Sequence, residues 1–490
     1  MPRSIKIHPD HKQKVLLAIE RNGFLTQGDL AVHLHVTLST VSNFLNGKPV
    51  YISTFEKICE ALGLDKRVIT KSVGLGSDTP SEQSDSTRSF FSFDSFWVGR
   101  EQLVGELNEK LRGSCRLLLI LGLTGIGKTA LAEKLVVDLE DWLQGDWKNK
   151  LRRVNFDNEV KPTNFVNVAA IWLEEWGDKV SIEDRKPELL LQKLVKYLLK
   201  NQVLVLIDSL ERLLTGNEED GWGDFVDEWW GKFFVSLLSA ESCQSRVIVT
   251  SQDLPVKLVD FRYRAFWHRQ VLYGLDESEQ IALFDKTGLD ISQESLDRPI
   301  LLRIGKAYNG HPLVLRVIIG EICESFDSNV QAYWNDVSSK IEEVEKSLSE
   351  AEADARKIIV TDDDWKLHKL TRKVRLEVNK QRLKAVFERL ETQVRDAYIL
   401  ICAASVYRAP VQEEAWIIQL VNFLKHLEGQ ECNEERQERA LEELCNRFLA
   451  EESVNYNNKR VLGQHNLVRS VALEHNKDLL QSMKNQSSPV

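Results

Sequence analysis

Long apolar runs are missing from this chain of 490 residues. No stretch approaches the roughly 20 apolar residues that cross a bilayer, and the first residues, MPRSIKIHPDHKQK, lack the apolar centre of a signal peptide. Paired cysteines are missing as well. Cys59, Cys115, Cys243, Cys323, Cys402, Cys432 and Cys445 stand singly, with no Cys-x-x-Cys pair and no histidine at zinc spacing. They read as reduced thiols, so a cytoplasmic protein without membrane contact is expected. There is no excess of positive charge. Lys and Arg number 64 against 74 Asp and Glu, a net charge of -10, so any nucleic-acid contact needs a local basic patch. A repeat with a period of about 20 to 50 residues is also lacking, which excludes a visible solenoid or propeller. The length as such suggests two to four domains.

What is present centres on Arg116 to Leu131, RLLLILGLTGIGKTAL. Leu117 to Leu121 is apolar on both faces, as a strand inside a parallel sheet must be. The residues Gly122 to Thr129 then match G-x-x-x-x-G-K-[ST] at every fixed position. Glycines let successive backbone N–H groups curl round a phosphate, and the following helix N-terminus adds partial positive charge. Gly122, Gly125, Ile126, Gly127, Lys128, Thr129 and Ala130 are the candidate cradle, with Lys128 reaching the β- and γ-phosphates and Thr129 holding Mg²⁺.

A second apolar run, Val203 to Ile207, ends in Asp208. Downstream of a P-loop this is the Walker B arrangement, which sets Asp208 beside the metal that Thr129 binds. Ser209 stands where many such NTPases keep a second acid, which leaves Glu211 as the candidate for orienting the attacking water. A third run, Val247 to Val249, ends in Thr250-Ser251-Gln252, where a γ-phosphate sensor would sit at the carboxyl edge of the sheet. No strand is evident between the P-loop and Val203. The aromatics of residues 217 to 235 read as one amphipathic helix packing into the core. Pro312, after Gly310-His311, suits the first position of a helix.

Residues 9 to 70 hold four short helical patterns. Gln27, Leu30, Ala31, Thr37, Thr40, Val41, Ser42, Asn46 and Gly47 resemble the helix-turn-helix module of the Cro-and-repressor type. The resemblance makes Leu38 to Leu45 a recognition helix offering Ser39, Thr40 and Asn43, with Thr37 before it, to a major groove. Residues 1–71 carry ten basic and six acidic side chains, mildly favourable for phosphate contact. The helix itself has no Arg, Lys or Gln to read guanine, so DNA and a protein partner both remain open.

Taken in order, VGRE, GLTGIGKT, LIDSLE, VIVTSQ and GHPLVL resemble the NB-ARC family of signal-transducing P-loop ATPases. The resemblance implies a multidomain protein: an α-helical helix-turn-helix domain at 1–71, a linker at 72–95 and an α/β P-loop domain with a parallel sheet at 96–275. It continues with a helical ARC subdomain at 276–335, a charged helical insertion at 336–384 and a winged-helix-like domain at 385–490. It further implies that Val98 and Arg100 line an adenine pocket, that Pro312 packs on the nucleotide and that His465 senses it. Gln252 stands in place of a common sensor Arg, and Asn466 in place of Asp.

Acids crowd residues 342 to 364 and bases residues 366 to 384, so these blocks are expected to pair with each other or face water. The expected function is an ATP/ADP switch with Mg²⁺ that oligomerises and uses residues 1–71 as output. Alternatives are a DNA-binding regulator with nucleotide as structural cofactor and an AAA-type motor or loader.

Overall fold

The computed structural model describes residues 4–70, without 9–10, 23, 25, 35, 37, 48–49 and 65–68. It also describes residues 97–486, without 145–146, 158–162, 218–220, 256–257, 259–262, 359–363, 430–431 and 455–459. The expected linker at 72–95 lies outside the described residues.

The N-terminal part contains helices α1 (Lys12–Arg21), α2 (Gln27–Leu34), α3 (Leu38–Leu45) and α4 (Ile52–Ala61). Each is too short to persist alone in water. They are held by a shared core in which Val15, Leu30, Val41, Phe44, Phe55 and Ile58 are buried.

Helix α5 (Glu101–Arg112) precedes the strand β1 (Leu117–Leu121), and α6 (Lys128–Asp138) follows the glycine loop. With β2 (Leu151–Asn155), β3 (Leu204–Asp208), β4 (Arg246–Ser251) and β5 (Trp267–Val271), β1 forms a parallel sheet of order β2-β3-β4-β1-β5. Side chains alternate between the faces of a strand. Leu117, Leu119 and Leu121 accordingly enter one core with Val205, Ile207 and Val249. Leu118 and Ile120 enter another with Leu131, Leu206 and Ile248.

Two expectations are corrected here. Strand β2, LRRVN, was not expected because two arginines interrupt its apolar run. Arg152 satisfies its guanidinium at the Glu175 carbonyl, 2.7 Å away, and Arg153 pairs with the buried Glu133 at 2.5 Å. The aromatic stretch is not one helix. It begins as a hairpin, Leu214–Asn217 with Gly221–Phe225, before the helix Glu228–Ser239 buries Trp230, Phe233 and Phe234 against Phe165 and Trp172.

Beyond the sheet come α7 (Pro312–Ser325) and two long helices packed on each other, α8 (Val330–Ile358) and α9 (Asp364–Gln393). The charged blocks pair with each other only in part, through Arg375 and Glu352 at 2.9 Å. Glu345 instead meets Arg303 at 2.8 Å, and Arg372 and Lys369 converge on the buried Asp253 at 3.1 and 3.0 Å. The block is a set of tertiary anchors because Asp253 and Glu321 offer buried carboxylates that must be matched.

The last part holds α10 (Glu434–Asn446) and α11 (Asn466–Gln486). Between and before them lies a small antiparallel sheet with Arg460–Gly463 between Val411–Gln412 and Glu451–Val454. Its core, which includes Phe387, Ile399, Trp416, Leu444 and Val468, is continuous with the C-terminal end of α9.

Glu321, about 1% exposed, faces both Arg382 and Arg389. Replacing it by Ala leaves buried guanidinium charge unmatched, an effect of about 3–5 kcal/mol. Glu321→Ala is therefore expected to lower the denaturation midpoint sharply, whereas Glu352→Ala at the more open Arg375 pair should shift it little, and guanidinium melts followed by circular dichroism check both.

Candidate functional site: a phosphate cradle closed by the C-terminal part

Strand β1 delivers the chain into Gly122–Thr129, and α6 starts at Lys128. Gly125 and Gly127 take φ of 79° and 93°, the left-handed region that side chains resist. A Cβ on Gly125 would also lie 2.8 Å from the His311 ring, so glycine is required there twice over. Gly122 N–H donates to the Ser251 carbonyl at 3.2 Å, which ties the mouth of the loop to β4. Lys128 is buried and donates from Nζ to the Leu123 carbonyl at 2.9 Å, within the loop. Ile126 is buried beside it, and Ala130 follows in the first turn of α6.

The sheet order then sets the oxygen atoms. Thr129 Oγ1 donates to Asp208 Oδ1 at 2.9 Å, and the Thr250 hydroxyl donates to the same oxygen. Thr250 Oγ1 in turn accepts from Ser209 N at 3.0 Å. A hydroxyl and a carboxylate this close are hard oxygen donors of the kind Mg²⁺ takes when phosphate and water complete its shell, so Thr129 and Asp208 fit that ion. Thr250 holds Asp208 rather than standing free. Glu211 is buried and accepts from Gln252 N at 3.3 Å, and burial pushes its carboxyl above the ordinary range.

Two further elements bound this cradle. Arg100, itself at a φ of 63°, donates from Nη2 to the carbonyls of Ile126 and Tyr273, both at 3.0 Å, and burial lowers its pKa to about 10. It braces the loop against the chain leaving β5. Val98 packs on the helical core of the following segment. A cleft beside the loop is lined by Ile126, Tyr273, Tyr308, Asn309, Arg375 and Asn379. Pro312 is the first residue of α7, and the buried His311 caps that helix by accepting from Val314 N at 3.4 Å through Nδ1. The proton is then on Nε2, which donates to Thr124 O at 3.0 Å, and burial lowers the imidazole pKa to about 4.

His465 joins this neighbourhood from the C-terminal part. Its Nδ1 accepts from Leu467 N at 3.1 Å, and burial, followed by the fields of His311 and Lys128, lowers its pKa to about 3. Asn466, next in the chain, donates to Asp157 Oδ2 at 2.7 Å. Asp157 lies just past β2, beside the end of β3. Burial alone would raise its pKa, but hydrogen bonds from Ser209, Arg212 and Asn466 outweigh burial and hold it low.

Sequence reasoning missed Asp157, His311 and Arg372. His311 stood in a noted motif, but no signal pointed to the other two. Arg372 Nη2 reaches the Gln252 carbonyl at 2.7 Å, so a guanidinium from α9 lies just past the end of β4.

The residues expected to face a DNA groove fall elsewhere. Thr37 and the Ser39 side chain lie outside the described residues. Asn43 is half-buried, and Thr40 is buried, donating to Glu442 Oε1 of α10 at 3.0 Å. Thr40 therefore faces a carboxylate of the same chain, not open solvent.

A five-stranded parallel sheet with the glycine loop after its fourth-ordered strand, and Asp208 at the end of another, is the arrangement of a P-loop NTPase fold. No family model matches the chain. An uncharacterized WD repeat-containing protein of Nostoc sp. is 23% identical over 336 residues, which are 64% of this chain and 25% of that protein. The chain thus spans about a quarter of the length of that relative. Among solved structures, a signal transduction ATPase with numerous domains and a tetratricopeptide repeat sensor, from Pyrococcus horikoshii, is 14% identical with a TM-score of 0.42. It is matched over 81% of this chain and 46% of that one. Cdc6p from Pyrobaculum aerophilum is 12% identical with a TM-score of 0.31, over 82% and 99% of the two chains. No described helix is long and apolar enough to cross a membrane.

The lowered His311 pKa makes stability pH-dependent. An unfolded imidazole takes its proton near pH 6.5, whereas the folded one resists until about 4, so stability declines as pH falls through that window by about 1.4 kcal/mol per unit. The wild-type melting temperature is expected to fall more steeply between about pH 6.5 and 4.5 than that of His311→Gln, as read by thermal scans across that range.

Proposed function

We propose that this chain is an adenine-nucleotide-switched regulatory protein that binds ATP or ADP with Mg²⁺ at Gly122–Thr129. Nucleotide state is coupled to opening of the C-terminal part and to self-association, with residues 1–71 as output. The observation that carries this reading is the return of Gln464–Leu467 to the phosphate cradle, where Asn466 bonds Asp157 at 2.7 Å. A γ-phosphate would add negative charge beside Asp208, Glu211 and Asp157, and like-charge repulsion would bias the joint toward opening. The same C-terminal part holds Thr40 through Glu442. Opening at one contact therefore favours release at the other.

On this reading α2 and α3 form a helix-turn-helix, and the small sheet with α10 and α11 forms a winged helix over the site. The segments divide as 1–71, 96–275, 276–335, 336–384 and 385–490. Val98, Arg100 and Pro312 enclose the adenine, and His465 answers to the nucleotide. Lys128 neutralises phosphate charge while Thr129 and Asp208 hold the metal. Gln252 in place of a sensor arginine and Asn466 in place of an acid favour holding the nucleotide over consuming it quickly.

Size-exclusion chromatography with mass measurement tests the switch. Protein with ADP is expected to elute as a monomer, and protein with a non-hydrolysable ATP analogue as a larger assembly. Lys128→Ala should bind neither nucleotide and stay monomeric. Turnover of about 1 per second or faster would favour a motor instead. Purified chain that binds no adenine nucleotide by isothermal titration would overturn the reading.

A further inference from the structure

Position 209 is Ser where a catalytic acid would follow Asp208, and Glu211 does not fill the gap well. Glu211 is 4% exposed and turned to the backbone of Gln252. A carboxylate that bonds Ser209 itself comes from another strand. Asn155 pairs in register with Asp208 across β2 and β3, and Phe156 N–H donates to the Asp208 carbonyl at 3.1 Å, so the chain leaving β2 is bound to the end of the Walker B strand. Two residues on from Asn155, Asp157 Oδ2 accepts from Ser209 Oγ at 2.5 Å. A hydrogen bond at that site sets the Asp157 oxygens where a longer acidic side chain at 209 would end. Arg212 Nε, 2.6 Å from Oδ1, fixes the orientation of the carboxylate.

We infer that Asp157 is the water-orienting carboxylate of this ATPase, delivered by β2 in place of the acid missing at Ser209, and that Asn466 masks it in the closed state. The inference rests on ATP binding at the P-loop as proposed above. In the step, the oxygen of a water attacks the γ-phosphorus while its proton passes to an Asp157 oxygen and from there to solvent. The bond from the γ-phosphorus to the β,γ-bridging oxygen breaks, and that oxygen leaves with the electron pair on ADP, its charge met by Lys128. Oδ2 already accepts from Ser209 and from Asn466, at 2.5 and 2.7 Å. Both lone pairs of that oxygen are engaged, and a water can take a place there only when Asn466 withdraws. Closing and slow hydrolysis are then one event, made by a donor from outside the nucleotide domain.

Single-turnover hydrolysis of γ-labelled ATP with Mg²⁺, alongside ATP titration by calorimetry and a thermal melt of each variant, tests this. Asp157→Asn is expected to hydrolyse about 100-fold or more slowly, as removal of a positioned base does, with ATP affinity close to wild type and a melting temperature lowered by loss of the Arg212 ion pair. Asn466→Ala should hydrolyse several-fold faster. The double variant Asp157→Asn with Ser209→Glu should recover part of the rate, which a merely structural role for Asp157 would not produce. Hydrolysis by Asp157→Asn within about threefold of wild type overturns the assignment, as does a wild type too slow to measure that Asn466→Ala leaves unchanged. Failure of wild type to bind ATP in the calorimeter would instead sink the nucleotide reading itself.

Discussion

The hydrogen bond between Thr129 and Asp208 joins two parts of the chain that lie 79 residues apart, and it exists only because β4 fits between β1 and β3 in register. Parallel strands cannot be linked by tight turns, so each crossover helix must return the chain to the same sheet edge. Burial on both faces fixes this register, since a slip by one residue would send every side chain to the opposite core. Thr250 strengthens the arrangement by donating to the same Asp208 oxygen from the strand between. The meeting of the Thr129 and Asp208 oxygens, the Ser209 turn and the placement of Asp157 all follow from that packing.

Charge is handled differently in the sheet and around it. Against the sheet, Glu133 of α6 and Arg116 just before β1 are buried and matched, Glu133 by Arg153 and Arg116 by a row of carbonyls at the end of the helix Glu228–Ser239. Around it, α9 reaches in opposite directions, with Arg372 on the Asp253 that follows β4 and Arg382 and Arg389 on Glu321 of α7. Buried ion pairs add little net stability over apolar packing but penalise wrong partners strongly. The long helix α9 thus acts as a strut that specifies how the nucleotide domain sits against the helices after it. The two histidines at the joint, both held neutral by burial, add a dependence on proton concentration to the same contact.

The P-loop, the Asp208 strand and the helix starting at Pro312 were legible in the chain because each is local: a run of apolar residues with a marker at its end. Strand β2 was not, since LRRVN carries two arginines that are matched in part by Glu133 and by the Glu175 carbonyl, partners remote in sequence. The hairpin before Glu228 was hidden for a related reason, its aromatics matching a helical stripe as well as a half-buried strand. Charge counting led to the expectation that the blocks within residues 342 to 384 pair with each other or face water. It could not show that they would reach Arg303, Asp253 and Glu321.

By itself the sequence determined a strand, a glycine loop at Gly122–Thr129 and a second strand ending in Asp208, because glycine conformation and strand burial are short-range constraints. Only the tertiary structure decided which groups surround that loop. His311 on the loop, Arg372 at the strand end, Asn466 on Asp157 and Glu442 on Thr40 are all contacts between residues more than 100 positions apart, and no local pattern encodes such a pairing. They arise from how separately folded cores meet, with buried polar groups permitting few other arrangements.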